Sequence, residues 1–384
     1  MEGFTDNMTV LTNHAFVAAT TLNLSSSEAW ELLAQIPARR FADILAQFSS
    51  DDFQRDNLVD ALCQNDPTRK RASMDRKVRD WLKGKYQPTL REDLLELCFI
   101  LKLNVADADA FLAMSGDEGL HWRNPRELTY AYALRKGMRY PEAKALFERV
   151  RPASTSDDHS VPDRSYTPLA YQEALAIETE DALSRYLLSA GERLGSFHDR
   201  AYQYFVEMME LLEQPDPTGG DFEERYSTRK IVETYLDKRL PQSWDKSRMD
   251  DKLRGILSGW PDEVTLSRMK NRRVDVNRKT LILLFLASDG SEKHDNGDQD
   301  DTDWDDEWPD ETHEADDAFR SSYLRMNQML STCGYRMLDP RNPFDWVVIY
   351  CMRVSDDPRA MEGLTERLSD MLDVLLSASG LETE

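Results

Sequence analysis

Cysteine is scarce in this sequence: Cys63, Cys98, Cys333 and Cys351 are the whole complement, and they lie far apart. No pair has the spacing of metal ligands, and Cys98 and Cys351 sit inside apolar runs. Buried free thiols in a reducing compartment are therefore expected, not a disulfide framework. Histidine is as sparse. The six are scattered, none three or four residues from another, which excludes the pairing expected on a metal-binding helix face. Positive charge is short as well: 48 Lys and Arg stand against 71 Asp and Glu, a net charge of −23 that on average repels nucleic acid and anionic membranes. Long hydrophobic runs are missing. The longest, "LILLFLA" from Leu281 to Ala287, is far too short to span a bilayer, and the polar N-terminus lacks a basic-then-apolar leader. A cytoplasmic protein with no membrane partner is expected. Strand-like alternation and Asn-Gly hairpin signals are absent. So are the P-loop, the dinucleotide fingerprint and the nucleophile elbow, which leaves no motif for a cofactor or a catalytic centre. A non-enzymatic protein without cofactor or metal is the expectation.

What is present is helical periodicity over a chain with 40% apolar residues, enough for real cores. "SSSEAWELLAQI" opens with serine caps and places Trp30, Leu32, Leu33 and Ile36 on or near one face. "RRFADILAQF" and "DNLVDALCQ" continue in the same style. The fold class read from this is all-α, with duplicated helical modules flanking a middle helical segment. The expected organisation is an N-terminal tail at 1–26, a first module at 27–150, a Pro-containing polar linker at 151–165, a middle segment at 166–244 and a second module at 245–384.

The duplication is read from the residues themselves. Aligned without a gap, residues 112–150 and 330–368 are identical at 11 of 39 positions, including Leu112 with Leu330, Gly116 with Gly334 and Arg135 with Arg353. Chance at ordinary composition gives about two or three. Arg-Asn-Pro closes both "GLHWRNP" and "MLDPRNP". Gly116 and Gly334 are expected as left-handed helix ends, Asn124 and Asn342 as N-caps, and Pro125 and Pro343 in the first turn of the following helix. Upstream, "TLREDLLELCFIL" resembles "VNRKTLILLFLA", with Arg91 over Arg278. The offset there is 187 and downstream it is 218, so the second copy carries 31 extra residues. That interval contains the acidic run: Asp289 to Ala318 holds 15 acidic residues and one lysine. A solvated disordered insert at 289–318 is one reading. Its Trp304 and Trp308 support another, a tethered counter-charge that competes for a basic patch. The spacing of a Ca²⁺ loop is not there.

Two basic patches precede the repeated blocks. Residues 69–85 hold Arg69, Lys70, Arg71, Arg76, Lys77, Arg79, Lys83 and Lys85 against two acids; residues 267–279 hold six cations, among them Arg268, Lys270, Arg272 and Arg273, against one acid. Basic helices neutralise phosphates and bind by counterion release, so these twelve are the candidate nucleic-acid-binding residues. The alternative for each patch is a solvated face pairing with neighbouring carboxylates. "CQNDPTR" and two "WPD" tripeptides echo tyrosine phosphatases, but that loop has no glycine, contains Asp66 and lacks the flanking His and Ser or Thr.

"WLKGKYQPTLREDLLELCFILKL", Trp81 to Leu103, resembles the second half of a Cro/C1-type (XRE-like) helix-turn-helix domain, carried by Gly84, Pro88, Leu94, Leu97, Leu101 and Leu103. The resemblance covers about 30 residues and implies that Met74 to Leu82 occupies the recognition-helix position, with Arg76, Lys77 and Arg79 as DNA contacts. The second copy has Asn271 where the first has Gly84 and lacks the proline. The wider arrangement resembles regulator-like helical proteins of Gram-positive bacteria. The function expected is regulation by DNA contact through the first patch. The alternative is an all-helical protein–protein scaffold without nucleic-acid binding.

Overall fold

A computed structural model describes residues 10–21, 24–49, 54–84, 87–88, 90–151, 167–190, 194–195, 197–213, 225–236, 251–288, 311–353 and 364–378. In chain order its helices are α1 (Val10–Ala19), α2 (Ser26–Gln35), α3 (Phe41–Phe48), α4 (Arg55–Asn65), α5 (Arg71–Leu82), α6 (Arg91–Ile100), α7 (Val105–Gly116), α8 (Pro125–Arg135), α9 (Tyr140–Val150) and α10 (Thr167–Leu175). There follow α11 (Glu180–Ser189), α12 (Asp199–Glu213), α13 (Thr228–Ile231) with a π-helical continuation Val232–Leu236, α14 (Asp251–Leu257), α15 (Glu263–Lys270), α16 (Arg278–Ala287), α17 (Glu311–Thr332), α18 (Pro343–Met352) and α19 (Leu364–Ala378). The protein is all-α. Among the described residues there is no strand, and a single isolated bridge joins Glu118 and Tyr335.

Two compact units divide the chain. The terminal unit comprises Met1–Ala38, Ala201–Ser331 and Met337–Glu384; the inner unit comprises Arg39–Arg200 and Thr332–Arg336. These limits differ from the modules expected at 27–150 and 245–384. Helix α1, within the stretch read as a tail, buries Ala15 and Phe16, and Phe16 meets Tyr323 edge-on at 5.6 Å. Helix α2 belongs to the terminal unit, and the middle segment is shared, with α10 and α11 in the inner unit and α13 in the terminal one. Short amphipathic helices carry too little information to say which core claims them. The acidic run lies outside the described residues up to Asp310, and its end, from Glu311, opens α17. The linker, apart from Arg151, also falls outside the described residues.

Each unit contains a helix that is buried nearly all round and begins with an Asn-Pro pair. In the terminal unit this is α18, where Trp346, Val347, Val348, Ile349 and Cys351 are fully buried. The Trp346 indole N–H donates to the Ala15 carbonyl at 2.9 Å, so even its polar atom is satisfied. In the inner unit it is α8, which buries Leu128, Tyr130, Ala131, Tyr132 and Ala133.

Both central helices start alike. Asn124 and Asn342 are the N-caps, each accepting from the next two backbone N–H groups of its helix that need a partner, and Pro125 and Pro343 occupy the first turn. Asn124→Ala or Asn342→Ala is expected to cost about 1 kcal/mol, and Asn→Gly only a few tenths, read as a shift in urea midpoint. The paired glycines behave differently. Gly334 is left-handed at φ 82°, as expected, but Gly116 remains helical and Asp117 takes φ 68°. A Cβ on Gly116 would stand 3.1 Å from Leu94 Cδ1, so close packing against α6 accounts for the glycine.

A set of hydrogen bonds recurs in the two units at the sequence offsets given above. In the inner unit the Arg91 guanidinium donates to both oxygens of Glu127 at 3.0 and 2.8 Å and to the carbonyls of Glu118 and Gly119. In the terminal unit Arg278 donates to both oxygens of Asp345 at 2.8 Å and to the Met337 carbonyl at 3.2 Å. The backbone N–H of His121 donates to Glu127 and that of Asp339 to Asp345, each at 2.9 Å. Leu120 N–H reaches Asp109 at 2.7 Å, and Leu338 N–H reaches Asn327 at 2.8 Å. Each arginine thus ties its helix, the preceding loop and the central helix into one latch.

Candidate nucleic-acid interface

Helices α3 to α7 follow one another in the inner unit between Phe41 and Gly116, and α5 is the one that carries the first basic patch. Val78 and Trp81 turn inward, where the Trp81 ring meets Phe41 at 5.9 Å in an edge-on contact. With that face fixed, Ser73, Arg76 and Lys83 on the opposite side face solvent, and Lys70 and Arg79 flank them. Gly84 ends the helix at φ 66°, a conformation that costs glycine nothing. A Cβ there would also come within 2.8 Å of the Arg40 side chain.

The candidate residues separate on inspection. Arg69 is structural: its guanidinium clasps Glu96, 1% exposed, with two bonds of 2.8 Å, and donates to the Leu62 carbonyl at 3.1 Å. That pairing removes Arg69 from any phosphate cradle with Cys63. Lys77 lies 2.9 Å from Asp93 and above the Trp81 ring. Arg71 pairs with Asp60, and Arg79 with Asp75 at 3.1 Å. Arg76 is 82% exposed and 4.0 Å from Asp80. Lys70 and Lys83 are exposed at the two ends of α5, and Lys85 lies outside the described residues.

The second patch is used differently. Lys270 meets Glu213 at 2.6 Å, the Tyr202 hydroxyl donates to the Lys270 carbonyl at 2.9 Å, and the buried Arg272 guanidinium lies 4.7 Å from the Tyr202 ring. These contacts seat α15 on α12 within the terminal unit. Arg268 and Arg273 are exposed. The two other cations of this stretch are also internal: Arg278 is in the latch, and the Lys279 ammonium donates to the carbonyls of Gly255, Ile256 and Ser258 at the end of α14. Among the described candidates, Lys70, Arg71, Arg76, Arg79 and Lys83 of the first patch and Arg268, Lys270 and Arg273 of the second are exposed.

Local charge around the first patch departs from the average of the chain. Residues 39–104 carry 13 Lys and Arg against 11 Asp and Glu, a balance of +2 inside a chain of −23. A phosphate backbone approaching α5 meets a surface unlike the chain's average.

The three fully enclosed cysteines and the half-buried Cys63 form no disulfide. Burial pushes the Cys351 thiol up to about 12 and raises Cys98 further, so neither is a thiolate nucleophile near neutral pH. The Tyr130 and Tyr140 hydroxyls both donate to Glu92, at 3.0 and 2.5 Å, and burial followed by that carboxylate raises both phenols above their ordinary value. Among the described residues no three His, Cys, Asp or Glu side chains gather as a metal site, and no helix is long and apolar enough to cross a membrane.

The chain matches no protein-family model, no curated protein and no solved structure.

Sequence reasoning missed the carboxylate halves of the latches, Glu127 and Asp345, because they differ in type and do not count as identities. The signal was there: an acid at both positions, beneath aligned arginines. It also missed the stacking of His121 on His198, 77 residues apart in the chain, for which no local pattern exists.

Proposed function

We propose that the protein is a non-enzymatic regulator whose inner unit binds DNA through α5, in the manner of a helix-turn-helix domain. The observation that carries this reading is the exposed face of α5, with Lys70, Arg76, Arg79 and Lys83 on the net-positive part of a strongly acidic chain. The order of short helices α3 to α7 and the left-handed Gly84 after α5 support it. The shared latch supports descent of the two modules by duplication. In the terminal unit Lys270 and Arg272 are engaged by α12, so the inner unit is the one expected to bind.

Fluorescence anisotropy with a random-sequence DNA duplex tests the reading. Affinity is expected to fall steeply with salt, and replacing Arg76, Arg79 and Lys83 together by alanine is expected to reduce the log–log salt slope by about 2–3. No binding at low salt, or a triple variant that binds as the parent does, would refute it.

A second reading has an observation of its own. Arg71, Arg76, Lys77 and Arg79 each stand beside a carboxylate of the same unit, as a solvated, internally neutralised face would. On that reading the helices form a protein–protein scaffold. It predicts nuclease-insensitive co-purification of a partner that survives the triple substitution.

A further inference from the structure

The inner unit contains a cluster of titratable groups remote in kind from the α5 face. Three stretches meet there: the 117–124 loop between α7 and α8, residues 194–195 with 197–200, and residues 332–336. The Gly195 N–H donates to the Arg123 carbonyl at 2.9 Å, and the Arg123 guanidinium pairs with Asp199, both side chains 7% exposed. The Arg336 N–H donates to the Asp117 carbonyl at 2.9 Å, its guanidinium meets the Asp117 carboxylate at 2.8 Å, and the Gly119 N–H donates to the Gly334 carbonyl at 3.2 Å. Between these bonds the His121 and His198 rings stack, their centroids 4.2 Å apart and their planes 16° from parallel. The Tyr335 ring lies 5.1 Å from His198 on the third stretch, and His121 is buried.

The shared architecture does not require an imidazole at this place. In the terminal unit the corresponding residue is Asp339, and its backbone N–H makes the same bond to the latch carboxylate as that of His121. The ring is therefore an addition peculiar to the inner unit, and it joins the 117–124 loop to His198, which in turn meets Tyr335.

We propose that the His121–His198 stack is a pH-operated clasp: it holds residues 194–195, 197–200 and 332–336 against the 117–124 loop while the His121 ring is neutral, and releases them when that ring takes up a proton.

The surroundings favour a neutral His121 ring. Arg91 of α6, Arg123 and Arg336 are the cations nearby. Glu127 of α8 is occupied by Arg91 and the His121 amide, Asp199 by Arg123, Asp117 by Arg336, and Asp109 of α7 by the Leu120 amide. Tyr335 is uncharged. A proton on His121 places a cation against the His198 ring and beside guanidinium groups whose carboxylates are already paired. Burial first, then His198, Arg123 and Arg91, hold His121 well below its ordinary 6.5. The closed form thus binds fewer protons than the open one. Its stability is complete above the unfolded value, begins to fall below about pH 6.5, and goes on falling until the folded pKa is passed.

Hydrogen exchange of the full chain at pH 7.5 and pH 5.0, corrected for intrinsic rates, tests this. A His121 ring that stays neutral when closed raises the opening equilibrium on the order of 30-fold at pH 5.0. The expected result is at least a tenfold loss of protection confined to peptides covering 117–124, 194–200 and 332–336. The double variant His121→Phe with His198→Phe keeps two stacked rings and no titration, and is expected to lose the pH dependence. Equal protection of the parent chain at both pH values overturns the clasp, whether or not the variant folds. So does a loss spread evenly over the inner unit, or a folded double variant that still opens at pH 5.0.

Discussion

Asp345→Ala is expected to destabilise the terminal unit by about 3–5 kcal/mol, a large part of what holds an ordinary domain together. Asp345 is 0% exposed and its partner Arg278 5%. The carboxylate accepts both guanidinium bonds and the Asp339 N–H. Without it a guanidinium, which cannot shed its proton, stays buried with the Met337 carbonyl in place of a counter-charge. Asp345→Asn keeps the acceptor but loses the charge, and should fall between parent and alanine variant. Replacing both partners, as Arg278→Met with Asp345→Leu, should recover most of the loss, because the penalty comes from the unpaired ion and not from the absence of a salt bridge. Urea unfolding followed by circular dichroism measures all three. A loss under 1 kcal/mol for Asp345→Ala would show that the buried pair is not what secures α18.

Phe111→Ala is expected to cost the inner unit about 3–5 kcal/mol. The ring is fully buried on α7 and meets Phe41 at 6.2 Å and Phe48 at 5.6 Å, both edge-on, and Phe41 in turn supports Trp81 of α5. Removing it opens a cavity under α3 and takes away the footing of the helix proposed to contact DNA. Phe111→Leu keeps most of the apolar volume and should retain most of the stability. Hydrogen exchange provides the sharper reading: amides of α5 should lose protection in the alanine variant before those of α8. If α5 is unaffected, its placement does not depend on this aromatic stack.

The two predictions probe different kinds of information. Aromatic positions such as Phe41 and Trp81 are visible in the sequence as the apolar side of a helical pattern, and the caps Ser25, Asn124 and Asn342 are visible as polar residues just before one. Those signals act within a single helical turn, which is why the all-α class, most helices and the starts of α8 and α18 could be read directly. The basic patches were visible as counts of charge, but their fates were not. Lys77 and Lys270 look equivalent as residues; one rests on Asp93, the other on Glu213, and only the fold brings those carboxylates within reach.

By itself the sequence determined an all-helical protein with recurring Asn-Pro helix starts, aligned arginines and a net-positive stretch in an acidic chain. Tertiary structure alone decided that α1 and α2 belong to the terminal unit, that Arg69 is occupied by Glu96, that Asp117 and not Gly116 takes the left-handed turn, and that His121 meets His198. The physical reason is range. Caps and periodicity depend on neighbours three or four residues away, whereas Arg91 finds Glu127 36 residues along the chain and Arg278 finds Asp345 67 residues along. Such bonds form only once packing has set the distance.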